Sequence, residues 1–318
     1  MREFRILVTG GAGFIGSNLV DVLVKDENFV CVVDNFDDYY SPEIKMNNIK
    51  QNIDKNNFKL IKGDIRDKKI LKDCLKDIDI VFHLAARPGV RASIQNPFLY
   101  HENNVTATLN LLKACLDSNV KKIIYSSSSS VYGEPEHLPI DEKEPTNPIS
   151  TYGATKLAAE KYCHVFSKNY DLQIIALRYF TVFGPRQRPD EAICKFTNLI
   201  LQGKRPEIYG DGEQTRDFTY VSDVVDANLL ALRSKIKWDF FNIGSENRIS
   251  VNELIKLLNE ACGSNIKPVY TSKKEGEISH TWANIEKAKK LLNYKPKVDI
   301  RTGIKKYVEW VKGNVHEK

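Results

Sequence analysis

Tyr152 and Lys156 stand four residues apart, a spacing that places both side chains on one face of a helix. A free tyrosine, with a pKa of about 10, is a poor base at neutral pH. An ammonium one helical turn away favours the phenolate, and a cationic ring beside it favours the phenolate further. Such a tyrosine can take a proton from an alcohol or sugar hydroxyl while a hydride leaves the same carbon. Upstream, the serine run at 126–130 offers a catalytic hydroxyl close in the chain to the candidate base. Tyr and Lys recur at this spacing on many amphipathic helices, so the pair gains its weight from the chain around it.

The elements that must position these groups read as an α/β chain. Residues 4–9 (FRILVT) form a short, β-rich apolar run with the look of a buried parallel strand. The run GGAGFIG follows at 10–16, and residues 17–25 then carry Leu and Val at helical spacing. Strand, glycine turn and helix in that order let backbone N–H groups approach a pyrophosphate at the positive end of the helix. A second strand at 29–33 ends in Asp34, placed to hold an adenine-ribose 2′-hydroxyl and repel a 2′-phosphate, which favours NAD over NADP. Further strands are predicted at 58–61, leading to Gly63-Asp64-Ile65, at 78–84, followed by the small Ala85 and Ala86, at 121–125 and at 173–179. Helical patterns cover 97–117 and 150–169, the second capped by Ser150 or Thr151.

This pattern predicts a Rossmann-type, doubly wound parallel sheet over residues 1–183 that carries Ser128, Tyr152 and Lys156. From 184 to 318 a smaller mixed α/β substrate-binding region is expected, with helices near 221–234, 251–262, 285–292 and 302–312, and with the chain free to cross back. Arginines at 186, 188 and 216 suit bidentate phosphate binding.

Composition narrows the partners. The 318 residues are 42% hydrophobic and 28% charged, the balance of a soluble globular chain. A net charge of +6 suits an anionic small molecule, but no Lys/Arg run reads as a nucleic-acid patch. The six cysteines are scattered without a CxxC, as reduced cytoplasmic thiols are, and the six histidines form no ligand-spaced pair, so no metal site is expected. No apolar run approaches membrane-spanning length, and a cytoplasmic location is expected.

Taken together, TGGAGFIGS, Asp34, GDIRD, HLAA, SSSSSVYG, YGATK and RDFTYVSD resemble the extended short-chain dehydrogenase/reductase family, and within it the nucleotide-sugar 4-epimerases. The resemblance covers essentially the whole chain in the family's order. It implies tightly held NAD, with contacts matching Gly10, Gly13, Phe14, Ile15, Gly16, Asp34, Asn35, Asp64, Ile65, Leu84, Ala85, Ala86, Asn103, Ser126, Tyr152, Lys156 and Tyr179. It implies Ser128, Tyr152 and Lys156 as catalytic residues and Arg216 on a UDP diphosphate, with Arg186 or Arg188 as further candidates. The implied reaction is transient oxidation at C4, rotation of the 4-keto sugar and return of the hydride to the opposite face. Sibling dehydratases and decarboxylases carry extra acids beside the catalytic serine, where this chain has Ser129 and Ser130.

The family's pocket-size position matches Thr281, whose small side chain admits UDP-N-acetylglucosamine alongside UDP-glucose. Lys274 and Glu277 replace the family's Arg and Asp, and Thr181 in RYFTVFGPRQRPD resembles the UDP-glucuronate branch, which stays as the alternative. A keto-sugar reductase and a non-catalytic dinucleotide sensor are the readings from other classes. The family's homodimer, a four-helix bundle, implies pairing through helices at about 92–118 and 152–169.

Overall fold

The computed structural model describes residues 4–273 and 278–314. Its strands are β1 (Arg5–Thr9), β2 (Phe29–Asp34), β3 (Phe58–Lys62), β4 (Ile80–His83), β5 (Lys122–Ser128), β6 (Gln173–Tyr179) and β7 (Thr181–Phe183). There follow β8 (Glu207–Tyr209), β9 (Thr215–Tyr220), β10 (Trp238–Ile243), β11 (Arg248–Ser250) and β12 (Val269–Thr271). Seven of them build one parallel sheet in the order β10-β6-β5-β4-β1-β2-β3. Two small sheets, β11-β9-β7 and β12-β8, are built from β7 and from strands beyond residue 183.

The inner strands β1, β2, β4, β5 and β6 are buried on both faces, which is why stretches such as ILV, VCVV and IVF read as apolar runs, whereas the edge strand β3 (FKLIK) alternates. Side chains alternate between two cores. Ile6, Val8, Val32, Phe82, Ile124 and Ile175 pack with helices α1 (Phe14–Lys25) and, later in the chain, Val221–Arg233. Leu7, Cys31, Val33, Val81, Ile123 and Ile174 pack on the other side. Their partners there include the helices Lys68–Cys74, Ala107–Asp117 and Thr151–Asn169. All six cysteines are free thiols, and no described helix is long and apolar enough to cross a membrane.

Three departures from the sequence reading have physical causes. The serine run does not follow the fifth strand but extends it, because Ser126–Ser128 continue the ladder against Leu177–Tyr179 of β6. The helix expected at 92–118 breaks at Asn96, before Pro97, into Val90–Gln95 and Pro97–His101, and a π-turn at Glu102–Thr106 precedes Ala107–Asp117. The sheet's seventh strand comes from beyond residue 183, where Trp238–Ile243 pairs in parallel with β6.

Candidate active site

A cleft of about 470 Å³ opens at the carboxyl ends of the strands where the sheet order reverses, with β2 on one side of β1 and β4 on the other. The β1–α1 turn forms its first wall. Gly10 has φ +68°, and a Cβ there would stand 2.8 Å from the Cα and N of Ala85, so the residue must be glycine twice over. A Cβ on Gly13 would be tight as well, 3.2 Å from Gly10 O, with Tyr40 Oη at 4.0 Å. Gly13 is also the N-cap of α1, and no side chain caps that end. The Tyr40 hydroxyl beside it is buried without a hydrogen-bond partner. A helix N-terminus with no side-chain cap, a tight glycine turn and an orphaned hydroxyl fit a pyrophosphate.

The rest of the wall fits the remainder of a dinucleotide. Asp34 Oδ2 accepts the Ala12 N–H at 3.1 Å and Oδ1 the Phe36 N–H at 2.9 Å, leaving lone pairs for ribose hydroxyls. Burial pushes this carboxyl up, against the pull of the Phe36 amide. Burial raises the Asp64 carboxyl too, but Arg66 and Asn35, bonded to it at 2.8 Å and 3.0 Å, hold it down at about 2. Ile65, Leu84, Ala85 and Ala86 line the cleft, and the π-turn aims Asn103 at it.

The residues expected to be catalytic converge at the strand ends of β5 and β6. Ser150 accepts the Gly153 N–H at 3.1 Å and starts the helix that carries Tyr152 and Lys156, while Ser93 Oγ accepts the Tyr152 N–H at 2.9 Å. Ser128 hydrogen-bonds the Tyr152 phenol, and Ser126 Oγ lies 3.2 Å from Tyr179 Oη, which donates to Asn228 at 3.0 Å. Burial raises the Tyr152 phenol, and the groups that pull it down are the Ser128 hydroxyl and the Arg188 guanidinium. The Lys156 ammonium lies 4.8 Å over the Tyr125 ring, and burial holds its pKa down at about 8.

At the sugar end the predicted residues divide. Thr181 and Arg188 line the cleft. Arg188 is already matched by carboxylates, with Nε 3.0 Å from Asp190 and Nη1 2.8 Å from Glu191. Arg186 does not reach the cleft, because it pairs with Asp21 of α1 at 2.7 Å. Arg216 spends Nη1 on the carbonyls of Thr215 and Ser279, yet it shares its strand face with the cleft residue Phe218 two positions on. Thr281 is buried with its hydroxyl on the Asp217 amide and does not line the cleft. Lys274 and Glu277 lie outside the described residues.

Sequence reading missed the loops that close over the cleft. Tyr39 Oη donates to Asp190 at 3.1 Å, and Arg87 grips both oxygens of Asp37 at 2.6–2.7 Å. The signal was an aromatic pair, Tyr39-Tyr40, inside a polar stretch directly after a strand-end acid.

A family model described as GDP-mannose 4,6 dehydratase matches residues 7–307. The UDP-glucuronate 4-epimerase of Thermodesulfobacterium geofontis is 40% identical over 313 residues, covering 97% of this chain and 96% of that protein. Among solved structures, the UDP-N-acetylglucosamine 4-epimerase of Methanobrevibacter ruminantium M1, in complex with UDP-N-acetylmuramic acid, superposes with a TM-score of 0.92 at 38% identity, covering 99% of this chain and 100% of that one. The Bacillus cereus UDP-glucuronic acid 4-epimerase, in complex with UDP-glucuronic acid and NAD, gives a TM-score of 0.92 at 40% identity, covering 97% and 99%. The chain belongs to the extended short-chain dehydrogenase/reductase family, and within it to the NAD-dependent nucleotide-sugar 4-epimerases.

Proposed function

We propose that the protein inverts C4 of an uncharged UDP-hexose, UDP-glucose or UDP-N-acetylglucosamine. The observation that carries the choice is the state of Arg188: two carboxylates already balance the cation that a C6 carboxylate would seek. An anionic sugar would have to displace Asp190 or Glu191, or share the guanidinium with them.

In this reading Tyr152 takes the proton of the C4 hydroxyl, and Ser128 donates a hydrogen bond to the same oxygen. NAD accepts the C4 hydride and returns it to the opposite face, so there is no net redox change. Lys156, in the same helix one turn on, holds positive charge beneath the site and a ribose hydroxyl in place. Arg216 would grip the diphosphate at the far end of the cleft while the sugar, held by few direct bonds, turns over.

UDP-glucuronate is the second reading, favoured by the presence of Arg188 in the cleft and by the named relatives. Incubating the purified protein with each of the three UDP-sugars, and following the anomeric protons by NMR, tests both. Epimer from the neutral sugars alone supports the proposal, epimer from UDP-glucuronate alone reverses it, and no epimer from any, with NAD supplied, overturns the reaction.

The protein is further proposed to dimerise through the helical segments at about 92–118 and 152–169. Phe98 is 83% exposed there, with Tyr162 and Val165 about half-exposed on the second helix. Sedimentation as a strict monomer would dismiss this.

A further inference from the structure

Below the catalytic residues lies a buried ion pair that the reaction as described does not use. Tyr152, Lys156 and Glu160 follow one another at four-residue steps along the same helix. Glu160 is 2% exposed and its carboxylate has three donors: Ser127 Oγ at 2.7 Å, Arg178 Nε at 3.0 Å and Arg178 Nη2 at 2.5 Å. Arg178, on β6, is 1% exposed. It also donates to Tyr132 Oη at 2.8 Å, which donates in turn to Asn242 of β10 at 2.6 Å, and its guanidinium lies 4.0 Å over the Phe240 ring.

A fully buried ion pair is a weak source of stability, because well-packed apolar side chains often do as well. Its position suggests another use. Ser127 is the chain neighbour of Ser128, and Tyr132 closes the turn after it, so both flanks of the catalytic serine hang on this pair. Its other end is the catalytic helix. We propose that the Glu160–Arg178 pair is a positioning device for the reaction, locking the catalytic helix against the strand end that carries Ser128 and keeping a carboxylate one turn beneath Lys156.

The surroundings of Lys156 single out that carboxylate. From its own helix it faces Cys163 and Glu160, from β5 the Tyr125 ring, and from β4 His83. Burial pushes the Tyr125 phenol and the Cys163 thiol up and the His83 imidazole down to about 3, so these stay neutral near pH 8. Glu160 is then the anion that helps Lys156 keep its proton, and Arg178 is its balancing charge.

The inference rests on the assignment of Tyr152 and Lys156 to epimerisation, and wild-type turnover beside an inactive Tyr152→Phe is the control for that reading. The test compares the pH profile of kcat/KM in the NAD-loaded wild type, in Glu160→Gln, and in the charge-balanced Glu160→Gln/Arg178→Met, with bound NAD and circular dichroism recorded for each. Removing the carboxylate is expected to lower kcat by about 10²-fold through misplacement. It is also expected to move the alkaline limb to lower pH by about one unit, in the same direction in both variants. A merely structural pair would lower activity equally at every pH and leave the limb where it is. Folded, NAD-loaded variants with the wild-type limb overturn the proposal, and so does failure of both variants to fold, which would make the pair structural only.

Discussion

Replacing Lys156 by Met should remove activity and stabilise the fold. The lysine is 4% exposed, and burial lowers its pKa from 10.5 to about 8 even with Glu160 helping to keep it charged. Holding the ammonium protonated in the folded protein below pH 8 therefore costs about 3 kcal/mol relative to the unfolded chain. The folded state binds fewer protons than the unfolded state between pH 8 and 10.5, so this cost fades as pH rises through that window. Met keeps the volume of the stem without the charge. Urea unfolding of NAD-free protein should then show a gain of up to about 3 kcal/mol at pH 7, shrinking above pH 8 as the wild type catches up. A Met variant no more stable than wild type at pH 7, or a gain that persists unchanged at pH 10, would refute the reasoning. The sign matters functionally: stability given up here is spent on a cation under the reacting centre.

Tyr152→Phe should lower kcat by roughly 10²–10⁴-fold while leaving bound NAD unchanged, as measured by NMR turnover and by nucleotide released on denaturation. Gly10→Ala, at φ +68° and with its new methyl 2.8 Å from Ala85, should give protein that purifies without NAD; full occupancy would contradict the cradle assigned to that turn. Glu191→Gln should free one face of Arg188 and raise the kcat/KM ratio of UDP-glucuronate to UDP-glucose about tenfold, and an unchanged ratio would remove Arg188 from substrate choice. Activity should fall as pH rises through about 8, where Lys156 loses its proton, and a flat profile from pH 7 to 9 would speak against an essential ammonium.

Much of the cofactor half was legible because its signals are local. A both-faces-buried strand announces itself by an apolar run such as the ILV of β1, and the glycine turn by residues that only a tight approach requires, as Gly10 against Ala85 demonstrates. The Tyr152–Lys156 pair was legible for the same reason, since helical periodicity alone sets their common face. The substrate half was less legible because partners there are far apart in the chain. Nothing near Arg186 says that it will pair with Asp21 of α1. Tyr39 meets Asp190 across the cleft, a contact made only once both loops are in place. Thr281, aligned as a pocket residue, instead spends its hydroxyl on the backbone of β9. Arg186 and Thr281 thus have partners in the folded chain that local sequence does not announce.

The seventh strand bears on how the chain is made. Trp238–Ile243 completes the sheet edge beside Gln173–Tyr179, so a nascent chain that has emerged only as far as the substrate region carries an open, apolar parallel edge. At roughly 5–20 residues per second, that edge stays unpaired for several seconds of synthesis. A parallel ladder closed by so distant a segment is also slow to form. The interval is one in which two neighbouring ribosomes on one message could pair their products edge to edge, and it makes the stretch between β6 and β10 the part of the chain where a chaperone would be of most use.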